Sequence, residues 1–568
     1  MEVETERDFI VRRRKKQHND VSWRHNTTTE KSGASFESAN AIVLAERSLF
    51  VWLLLFRILN AILIKTFFVP DEFWQGPEIA HRVVFGYGYL TWEWKEGLRG
   101  WTSPLIFAAS YKMLAVLGMD SAKTLVVVPR LVQSFFAACG DLFLYKLAVK
   151  RFDLQTGRWT LICYLMSWFT FYSVTRTLTN SLETVLTTIA LYYWPCDIKK
   201  ENNTKDVVKA LSFAAFSCII RPTAAIIWIP LCIWYLIFSP NKLGFIFRCV
   251  LPVGMMAMLW SLILNSWFYG KRTLVELNFV KFNVINDMGS FYGSHPWHWY
   301  LTQGFPVVMF THMIPFLGGI YKGISRQQTL AWLILWTISI YSFLDHKEFR
   351  FIFPVVPLAM CYCGLFLSSL CEPHLTKQKQ SADHGFLAGL LWSGWKARSL
   401  MIFLAVTNIP LMLYTSTVHQ RGTIDVMDYI QVESAKIRKD NEMSVLFLMP
   451  CHSTPFYSFV HRNISMRILE CPPSDEQGYI DEADQFFMNP SSWLIKQYGN
   501  SLSNEEQDHL PTHIVMYNAL LPDVAMFLDK FLYKQQATFF HTHFPDGRIG
   551  SEVLVYSREK PAETKEKA

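Results

Sequence analysis

The sequence predicts a polytopic α-helical membrane protein that ends in a soluble α/β domain. Apolar runs of roughly 15–24 residues recur until about residue 416, and a run near 20 residues matches the hydrocarbon thickness of a bilayer. Of all residues, 51% are hydrophobic, 15% are aromatic and only 18% are charged. After residue 416 the long apolar runs stop and shorter segments with turn residues replace them. This change in pattern separates a membrane region from a C-terminal tail.

Three regions are predicted along the chain. Residues 1–47 are polar and basic, with R-R-R-K-K at Arg12–Lys16, which is typical of a disordered cytosolic segment. Residues 48–416 form the membrane region, and residues 417–568 form a lumenal α/β domain. The net charge of +7 lies largely in Arg12–Lys16 and in short loops between spans, so it does not indicate nucleic-acid binding. A secretory signal peptide is not visible.

The membrane region is predicted to cross the bilayer about eleven times. The first span is Ser48–Phe68, and its basic flank keeps its start in the cytosol. Residues 104–118 are short for a span and contain Tyr111 and Lys112, so we expect an interfacial or re-entrant helix there. The other predicted spans are Leu125–Leu147, Trp159–Val174, Thr184–Trp194, Val208–Ile220, Ala224–Phe238, Cys249–Phe268, Gly304–Tyr321, Thr329–Phe343, Phe351–Leu370 and Leu400–Thr415.

Charged residues are concentrated in one segment between two of these apolar runs. The segment Leu344–Pro357 reads L-D-H-K-E-F-R-F-I-F-P-V-V-P and contains His346, Lys347, Glu348 and Arg350. Because lipid-facing charge is costly, these side chains are expected at a helix end, a water-filled cavity or a bound anion. An interfacial turn with snorkelling cations is the alternative, but it does not explain the carboxylate between two cations. The segment therefore predicts a functional site.

Span counting places other polar residues on the same, lumenal side. Asp71 and Glu72 follow the first span, and the loop Tyr292–Trp299 contains His295 and His298. The cations Arg176, Arg221, Lys271 and Arg272 fall on this side too, against the usual cytosolic preference of basic residues. Cations in such positions are candidates for binding an anion, although structural ion pairs explain Arg176 and Arg221 equally well. Interface packing is a comparable explanation for the two histidines.

The tail is predicted to form a small α/β unit. Its predicted elements are the strands Val445–Met449, Ile464–Leu469, His513–Tyr517, Thr538–His543 and Val553–Tyr556 and the helices Asp481–Tyr498 and Pro522–Tyr533.

The tail also carries two candidate modification sites. Asn463 begins the acceptor sequon N-I-S and is expected to be glycosylated in the lumen, whereas the sequons at Asn26 and Asn202 are expected to be cytosolic and unused. Cys451 and Cys471 lie in a compartment that permits a disulfide, but their spacing leaves the pairing open. Nearby histidines lack the ligand spacing of a zinc site, so we expect no metal.

One carboxylate at a membrane exit, with cations and aromatic rings on the same face, fits transfer of a sugar from a lipid phosphate. A hydroxyl acceptor needs a general base, which a carboxylate can supply. The transition state has oxocarbenium character, and arginine and lysine stabilise the leaving phosphate. With a single phosphate in the leaving group, a divalent metal is not obligatory, and the sequence lacks a D-x-D motif.

Several motifs resemble one family in order along the chain. The segment H-K-E-F-R-F (His346–Phe351) resembles the signature of dolichol-phosphate-mannose-dependent α-mannosyltransferases, glycosyltransferase family 22 of the GT-C superfamily. Three further motifs are similar to that family, namely P-D-E-F-W-Q (Pro70–Gln75), R-T-L-T-N-S-L-E (Arg176–Glu183) and R-P-T-A (Arg221–Ala224). Tyr292–Pro306 and Phe447–Ser458 look most like the branch that builds GPI-anchor precursors. The resemblance implies a GT-C fold and transfer of the third, α1,2-linked mannose, with inversion, in the endoplasmic reticulum.

The resemblance also implies roles for individual residues. Asp71 is implied to be the catalytic base, supported by Glu72, although the sequence does not settle which of the two takes the proton. His346, Lys347 and Arg350 are implied to bind the donor phosphate, with Glu348 holding a cation. Arg176, Arg221, His295 and His298 are further substrate-binding candidates, whereas Asn180 and Glu183 more simply brace a span. The implied substrates are two lipids, dolichyl phosphate mannose and the GPI precursor, and no cofactor is implied.

Two other functions fit less well. An α-mannosyltransferase of the dolichol-linked N-glycan precursor is disfavoured by the tail and by Tyr292–Pro306. A membrane transporter is disfavoured because the charges lie at lumenal ends and the motif segments are not repeated, whereas transporters carry mid-span charges and inverted repeats. A scaffold for a lipid–glycan complex does not explain a carboxylate that faces Lys347, Glu348 and Arg350.

Overall fold

A computed structural model describes most of the chain. It covers residues 44–195, 203–325, 327–371, 394–437, 443–474, 476, 478–499 and 510–558. The predicted disordered segment 1–47, apart from its last four residues, lies outside this range, as do the sequons at Asn26 and Asn202. The chain divides into two compact units, one up to Phe56 and one from Arg57 onwards. The boundary falls inside a first helix that covers residues 44–63.

The second unit consists mainly of helices. Before the tail, its α-helices are Asp71–Trp74, Pro77–Phe85, Trp92–Lys95, Thr102–Leu117, Ala122–Arg151, Leu154–Met166, Trp168–Ser173, Thr179–Tyr193, Thr204–Ile220, Ala225–Phe238, Lys242–Phe245, Leu251–Tyr269, Val275–Val280, Phe305–Met309, Met313–Gly323, Gln328–Phe343, Val356–Ser369 and Gly394–Thr417. Shorter 3-10 and π turns extend or join them at Pro222–Ala224, Ile246–Val250, Lys281–Ile285, Met288–Tyr292, Tyr300–Gly304, Phe310–His312 and Phe349–Val355.

Within the described residues, five helical stretches are long and apolar enough to cross a membrane. They are Ala122–Arg151, Lys242–Tyr269, Tyr300–Gly323, Phe349–Ser369 and Gly394–Lys436. Three shorter apolar helices accompany them, at Thr102–Leu117, Pro222–Phe238 and Gln328–Phe343. The chain is thus a multi-helical membrane protein, with fewer full-length apolar helices than the predicted spans.

Several predicted spans are shaped differently in the structure. The predicted span Trp159–Val174 is broken at Ser167, whose side chain caps the next helix by accepting a hydrogen bond from the Thr170 amide (3.4 Å). The first helix ends at residue 63 rather than at Phe68. Beyond it, the amides of Lys65 and Phe67 donate to the carbonyls of Ser416 and Gln420 (2.8 and 3.0 Å). This extended stretch is therefore held by the end of the last membrane helix.

The tail contains a five-stranded mixed sheet. The strands are β1 (Ser444–Leu448), β2 (Ser465–Ile468), β3 (His513–Tyr517), β4 (Tyr533–Phe540) and β5 (Glu552–Arg558), in the spatial order β2-β1-β3-β5-β4. Strand β1 pairs in parallel with β2 and β3, and β5 pairs antiparallel with β3 and β4. The helices of the tail are Gly422–Lys436, Tyr457–Val460, Glu482–Met488, Pro490–Tyr498 and Leu521–Lys530, with a 3-10 turn at Asn518–Leu520.

Two tail elements differ from the prediction. The predicted helix Asp481–Tyr498 is two helices, because Pro490 begins the second one and the Asn489 side chain caps it. The fourth strand begins at Tyr533, inside the predicted helix, rather than at Thr538. It is an edge strand, and its largely exposed side chains lack the alternation that marks a half-buried strand.

The tail shares a hydrophobic core with the segment that follows the first helix. Phe67, Phe73 and Trp74 pack in the same buried cluster as Phe447 of β1 and Phe456. Burial of apolar surface contributes about 25 cal/mol per Å², so a shared core fixes the two parts in one arrangement. The segment that contains Asp71 is therefore held between the membrane helices and the tail sheet.

Candidate active site

Asp71 begins a single helical turn, Asp71–Trp74, beyond the end of the first helix. The preceding residues are fixed by the end of the last membrane helix, where Thr66 also donates to the Thr415 carbonyl (2.7 Å). The following residues are fixed by the tail, since the Trp74 indole donates to the Thr454 carbonyl (3.2 Å). Asp71 is therefore held from both sides, with 17% of its side chain exposed.

Arg350 connects Asp71 to the charged segment near residue 348. Its Nη1 atom contacts the Oδ2 atom of Asp71. Its Nε and Nη2 atoms donate to the two carboxylate oxygens of Glu348 (2.7 and 2.6 Å). A planar guanidinium can bind two carboxylates in this way, whereas a lysine ammonium cannot make the bidentate contact. The structure thus brings the two predicted halves of the site together through one side chain.

His346 and Lys347 hold the backbone around this network. The imidazole of His346 contacts Glu348 Oε1 (3.2 Å) and the Gly293 carbonyl (3.0 Å). The ammonium of Lys347 donates to the carbonyls of His295 (2.8 Å) and Leu344. Lys347 is 3% exposed, so these contacts occur in the interior. Both residues join the charged segment to the loop Tyr292–Trp299.

The two histidines of that loop have different surroundings. The ring of His295 stacks on Trp299 with a centroid distance of 4.7 Å. The Nδ1 atom of His298 lies 3.4 Å from the Thr302 hydroxyl, beside the exposed Trp297. Both histidines are exposed. His295 is joined to the charged segment through its backbone, whereas the contacts of His298 are made within its own loop.

Glu72 lies beneath Asp71 in the interior. Its Oε1 atom is 3.1 Å from Arg130, and its Oε2 atom is 2.7 Å from Arg176. Arg176 also donates to Thr66 and to the Tyr172 carbonyl, and both Glu72 and Arg176 are fully buried. The structure therefore places Arg176 as a brace under Glu72, away from the surface of the site.

Arg221 occupies the break between two helices and lies on the other side of Arg350. Its Nε atom is 3.2 Å from Glu183, and its Nη1 atom is 3.4 Å from the Asn180 side-chain oxygen. Asn180 in turn donates to the Arg350 carbonyl (3.2 Å). Arg221 is thus joined to the Asp71–Arg350–Glu348 network through Asn180, and it also pairs with Glu183.

Both carboxylates of the network are held in the ionised form. Burial opposes ionisation of Asp71, but the charges of Arg350 and Arg99 and the hydrogen bond from Arg350 together outweigh it and hold the pKa of Asp71 below its ordinary value. Burial likewise opposes ionisation of Glu348, but Arg350 and the hydrogen bond from His346 hold the pKa of Glu348 well below its usual range. The site therefore presents an ionised Asp71 at neutral pH.

A narrow cavity borders this network at Arg221. Its polar lining includes Gln75, Arg99 and Arg221. Gln75 lies one turn after Asp71, and its Oε1 atom is buried without a hydrogen-bond partner. Arg99 pairs with Glu93 and interacts electrostatically with Asp71 and Arg350. The remaining lining is mainly apolar, so the cavity presents cationic and apolar groups together.

Sequence reasoning missed Gln75, Arg99 and Arg130. Arg99 lies in a Trp- and Gly-rich loop, and Arg130 lies inside an apolar run. An arginine inside an apolar run was an available signal, since intramembrane cations are rarely without a role.

The comparison with family models identifies the chain. Residues 48–461 match the model of the Alg9-like mannosyltransferase family. The chain belongs to this family. The matched range contains Asp71, the charged segment around Arg350 and the first part of the tail.

Sequence alignments with relatives extend over nearly the whole chain. It is 46% identical to GPI alpha-1,2-mannosyltransferase 3 of Homo sapiens over 515 residues, which is 90% of this chain and 87% of the relative. It is 36% identical to GPI mannosyltransferase 3 of Drosophila melanogaster, over 84% of this chain and 81% of the relative.

Solved structures agree on the fold. The crystal structure of ArnT from Cupriavidus metallidurans bound to undecaprenyl phosphate superposes with a TM-score of 0.55 at 12% identity, covering 91% of this chain and 98% of ArnT. The apo form of ArnT superposes with a TM-score of 0.53 at 13% identity, over 92% and 98% of the two chains. The family member thus has the multi-helical membrane fold of ArnT and ends in a mixed sheet.

Proposed function

We propose that this protein is a GPI α1,2-mannosyltransferase that adds the third mannose to the GPI-anchor precursor. The donor is dolichyl phosphate mannose, and the reaction inverts the configuration at C1. The assignment of substrate follows the relatives, which share the name GPI mannosyltransferase 3 and match more than four fifths of this chain.

The ion pair between Asp71 and Arg350 carries the chemical part of the proposal. It lies near a cavity lined by Gln75, Arg99 and Arg221 among apolar residues, and a lipid phosphate needs cationic and apolar groups of this kind. In the proposed step, the 2-hydroxyl oxygen of the acceptor mannose attacks C1 of the donor mannose. The bond between C1 and the phosphate oxygen breaks, and dolichyl phosphate leaves. The hydroxyl proton passes to Asp71, which accepts it on the oxygen that Arg350 does not bind.

The cations near the cavity stabilise the leaving phosphate in this proposal. Arg99 and Arg221 line the cavity, and Arg350 and His346 lie in the network next to it. Guanidinium groups stabilise phosphate charge through charge-assisted hydrogen bonds. Lys347 already donates to two carbonyls, so we assign it to positioning the loop that contains His295. Glu348 holds Arg350 and His346 in place.

The proposed location is the membrane of the endoplasmic reticulum. In this arrangement the N-terminus is cytosolic, about eleven segments cross the membrane, and the active site and the tail are lumenal. Contacts at the opposite end of the helices support a common orientation. There, Gln327 donates to the Arg151 carbonyl (2.6 Å), and Tyr362 donates to the Gln327 carbonyl (2.6 Å). Asp71, Arg350 and the tail meet at the other end.

Analysis of lipid intermediates in cells that lack this protein tests the function. We expect a GPI precursor with two mannoses to accumulate, to disappear on rescue with the wild-type protein and to persist with Asp71→Asn. Accumulation of a truncated dolichol-linked oligosaccharide with normal GPI precursors would assign the enzyme to N-glycan assembly instead. Full rescue by Asp71→Asn would exclude Asp71 as the base while leaving the substrate assignment in place.

A further inference from the structure

A disulfide-bonded loop of the tail lies against the active-site turn. Cys451 follows strand β1, Cys471 follows strand β2, and the two residues form a disulfide with a Cα–Cα distance of 6.3 Å. Strands β1 and β2 are parallel, so both cysteines lie at the carboxyl ends of their strands. In open α/β sheets, ligands bind at this edge. The disulfide therefore holds together the carboxyl ends of β1 and β2, which face the membrane region. These strand ends are called the sheet edge below.

His452 is the residue that this loop places beside the active-site turn. Its ring packs edge-on against Trp74, with centroids 5.0 Å apart, and Trp74 ends the helical turn that Asp71 begins. The backbone of His452 has φ 61°, in the left-handed region that non-glycine residues adopt infrequently. Such conformations persist where the surroundings enforce them, and they are concentrated at functional sites. As a whole residue, His452 is half-buried.

Other contacts hold the same sheet edge over the lumenal face. The Tyr292 hydroxyl donates to the Cys471 carbonyl (3.3 Å), and the Tyr292 ring stacks on Trp92 with centroids 6.1 Å apart. The Tyr89 hydroxyl donates to the Glu470 carboxylate. These contacts come from two different loops of the membrane region. The sheet edge is therefore attached around the site as well as at Trp74.

We propose that His452 is an acceptor-binding residue, whose imidazole hydrogen-bonds a hydroxyl of the acceptor glycan beside Asp71. The proposal rests on the transferase function proposed above. The two sulfur atoms are bonded to each other, so the proposal assigns ligand binding to the imidazole rather than to a thiol. The tail thereby supplies part of the acceptor site, and the disulfide positions that part.

The protonation state of His452 suits a hydroxyl ligand. Burial lowers the pKa of His452 to about 4, against the opposing influence of Asp71 and Glu470. The imidazole is therefore neutral at neutral pH, and it can donate one hydrogen bond and accept another. Because the His452 imidazole is neutral, it does not compete with Arg350 for the charge of Asp71. The ion pairs among Asp71, Arg350 and Glu348 are therefore kept.

Kinetics of the purified full-length protein in detergent test this proposal. The substrates are dolichyl phosphate mannose and a soluble GPI analogue with two mannoses. For His452→Ala we expect the KM for the acceptor analogue to rise about tenfold, as for loss of one hydrogen bond, with an unchanged KM for the donor. His452→Asn retains a donor and an acceptor atom, so it should recover much of the acceptor affinity. Cys451→Ser/Cys471→Ser should raise the acceptor KM in the same direction.

His513→Ala is the matched control, because His513 begins the central strand β3 and so lies at the amino-terminal end of the parallel strands, away from the loop of His452. Its KM values should equal those of the wild type. Thermal unfolding and thiol labelling would verify that each His452 variant is folded with the disulfide formed. An unchanged acceptor KM in folded His452→Ala, or an equal rise in both KM values, would overturn the proposal. Failure of the wild-type protein to use the GPI analogue would instead contradict the proposed function.

Discussion

Asp71 and Arg350 form an ion pair although they are 279 positions apart in the sequence. Arg350 also binds both oxygens of Glu348, so one guanidinium serves two carboxylates. The arrangement keeps Asp71 ionised, which a general base requires before it accepts a proton. It also fixes the distance between Asp71 and the segment that follows His346.

Replacing Arg350 should shift the pH dependence of the reaction. In Arg350→Gln, burial of Asp71 is no longer offset by the cation, so the pKa of Asp71 should rise. The acidic limb of the kcat/KM profile should therefore move to higher pH, with a smaller shift for Arg350→Lys, which keeps the charge. Arg467→Gln, in the tail, serves as the control. An acidic limb that stays in place in folded Arg350→Gln would show that this limb does not report Asp71.

Asp71 and Glu72 should respond differently to loss of charge. Asp71→Asn leaves Arg350 paired with Glu348, so we expect a folded protein with activity reduced by about 10²–10⁴-fold. Glu72→Gln leaves Arg130 and Arg176 without their buried counter-charge, and breaking a buried pair costs about 3–5 kcal/mol of stability. Thermal unfolding in detergent and a mannosyl-transfer assay on both variants would separate the two effects. A stable, inactive Glu72→Gln with an active Asp71→Asn would reverse the assignment.

The sequence predicted both halves of the site and the face on which they meet. Span counting placed Asp71 and the segment around Arg350 on one side of the membrane, and the structure joins them. The sequence could not show that Glu72 is buried between Arg130 and Arg176, because that pairing depends on helix packing over long sequence distances. Asp71 and Glu72 are therefore neighbours in one motif, but Asp71 is partly exposed and Glu72 is buried. The residues around them in the sequence do not predict this difference.

Element boundaries were predictable only where a local signal exists. Pro490 and the capping residue Asn489 marked a helix start within the predicted helix, and Ser167 marked another. The extended stretch at Lys65–Phe67 carries no such signal, because its backbone bonds to residues near 416. Because this stretch is largely apolar, the sequence predicted that it continues the first membrane helix.

Arg99 should contribute to binding of the lipid-linked donor. It lines the cavity beside Gln75 and interacts with Asp71 and Arg350. Loss of a charge-assisted hydrogen bond to phosphate predicts that Arg99→Gln raises the KM for dolichyl phosphate mannose by about tenfold or more. Lys95→Gln in the same loop, whose side chain is 56% exposed, is the control. An unchanged donor KM in Arg99→Gln would place the phosphate elsewhere.

Asn463 should carry an N-linked glycan if the tail is lumenal. Its side chain is exposed, and the sequon continues through Ile464 into strand β2 at Ser465. We expect endoglycosidase H to increase the gel mobility of the wild-type protein and to leave Asn463→Gln unchanged. Asn202→Gln, at a sequon expected to be cytosolic, should behave like the wild type. A wild-type protein without a glycan, in cells that glycosylate a lumenal control protein, would argue against a lumenal tail.

Glu78 attaches the tail to the membrane region through a buried carboxylate. It accepts hydrogen bonds from the amides of Phe456 and Ser458 (2.8 and 3.2 Å) and from the Ser458 hydroxyl (2.5 Å). Burial nevertheless raises the pKa of Glu78 to about 7. Tyr111 and Tyr457 are further titratable groups close enough to interact with it, and His81, one turn later, contacts His461 of the tail (3.0 Å).

This raised pKa predicts a pH-dependent contribution of Glu78 to stability. Between the ordinary glutamate pKa and about 7, the folded protein holds a proton that the unfolded chain releases. The contribution of Glu78 is therefore complete at acidic pH and is lost as the pH rises through about 7. The pKa values of His81 and His461 are lowered by burial, so these residues act in the opposite direction. Comparison with a Glu78 variant isolates the carboxylate.

Thermal unfolding of wild type and Glu78→Gln across the range from acidic to mildly alkaline pH tests this prediction. Glutamine stays neutral, so Glu78→Gln should gain stability relative to the wild type as the pH rises through about 7. The exposed Glu476→Gln should follow the wild type at every pH. A constant difference between Glu78→Gln and wild type would mean that the four donors of Phe456, Tyr457 and Ser458 keep Glu78 ionised despite its burial. The tail would then be attached by a permanently charged carboxylate, with no pH dependence from Glu78.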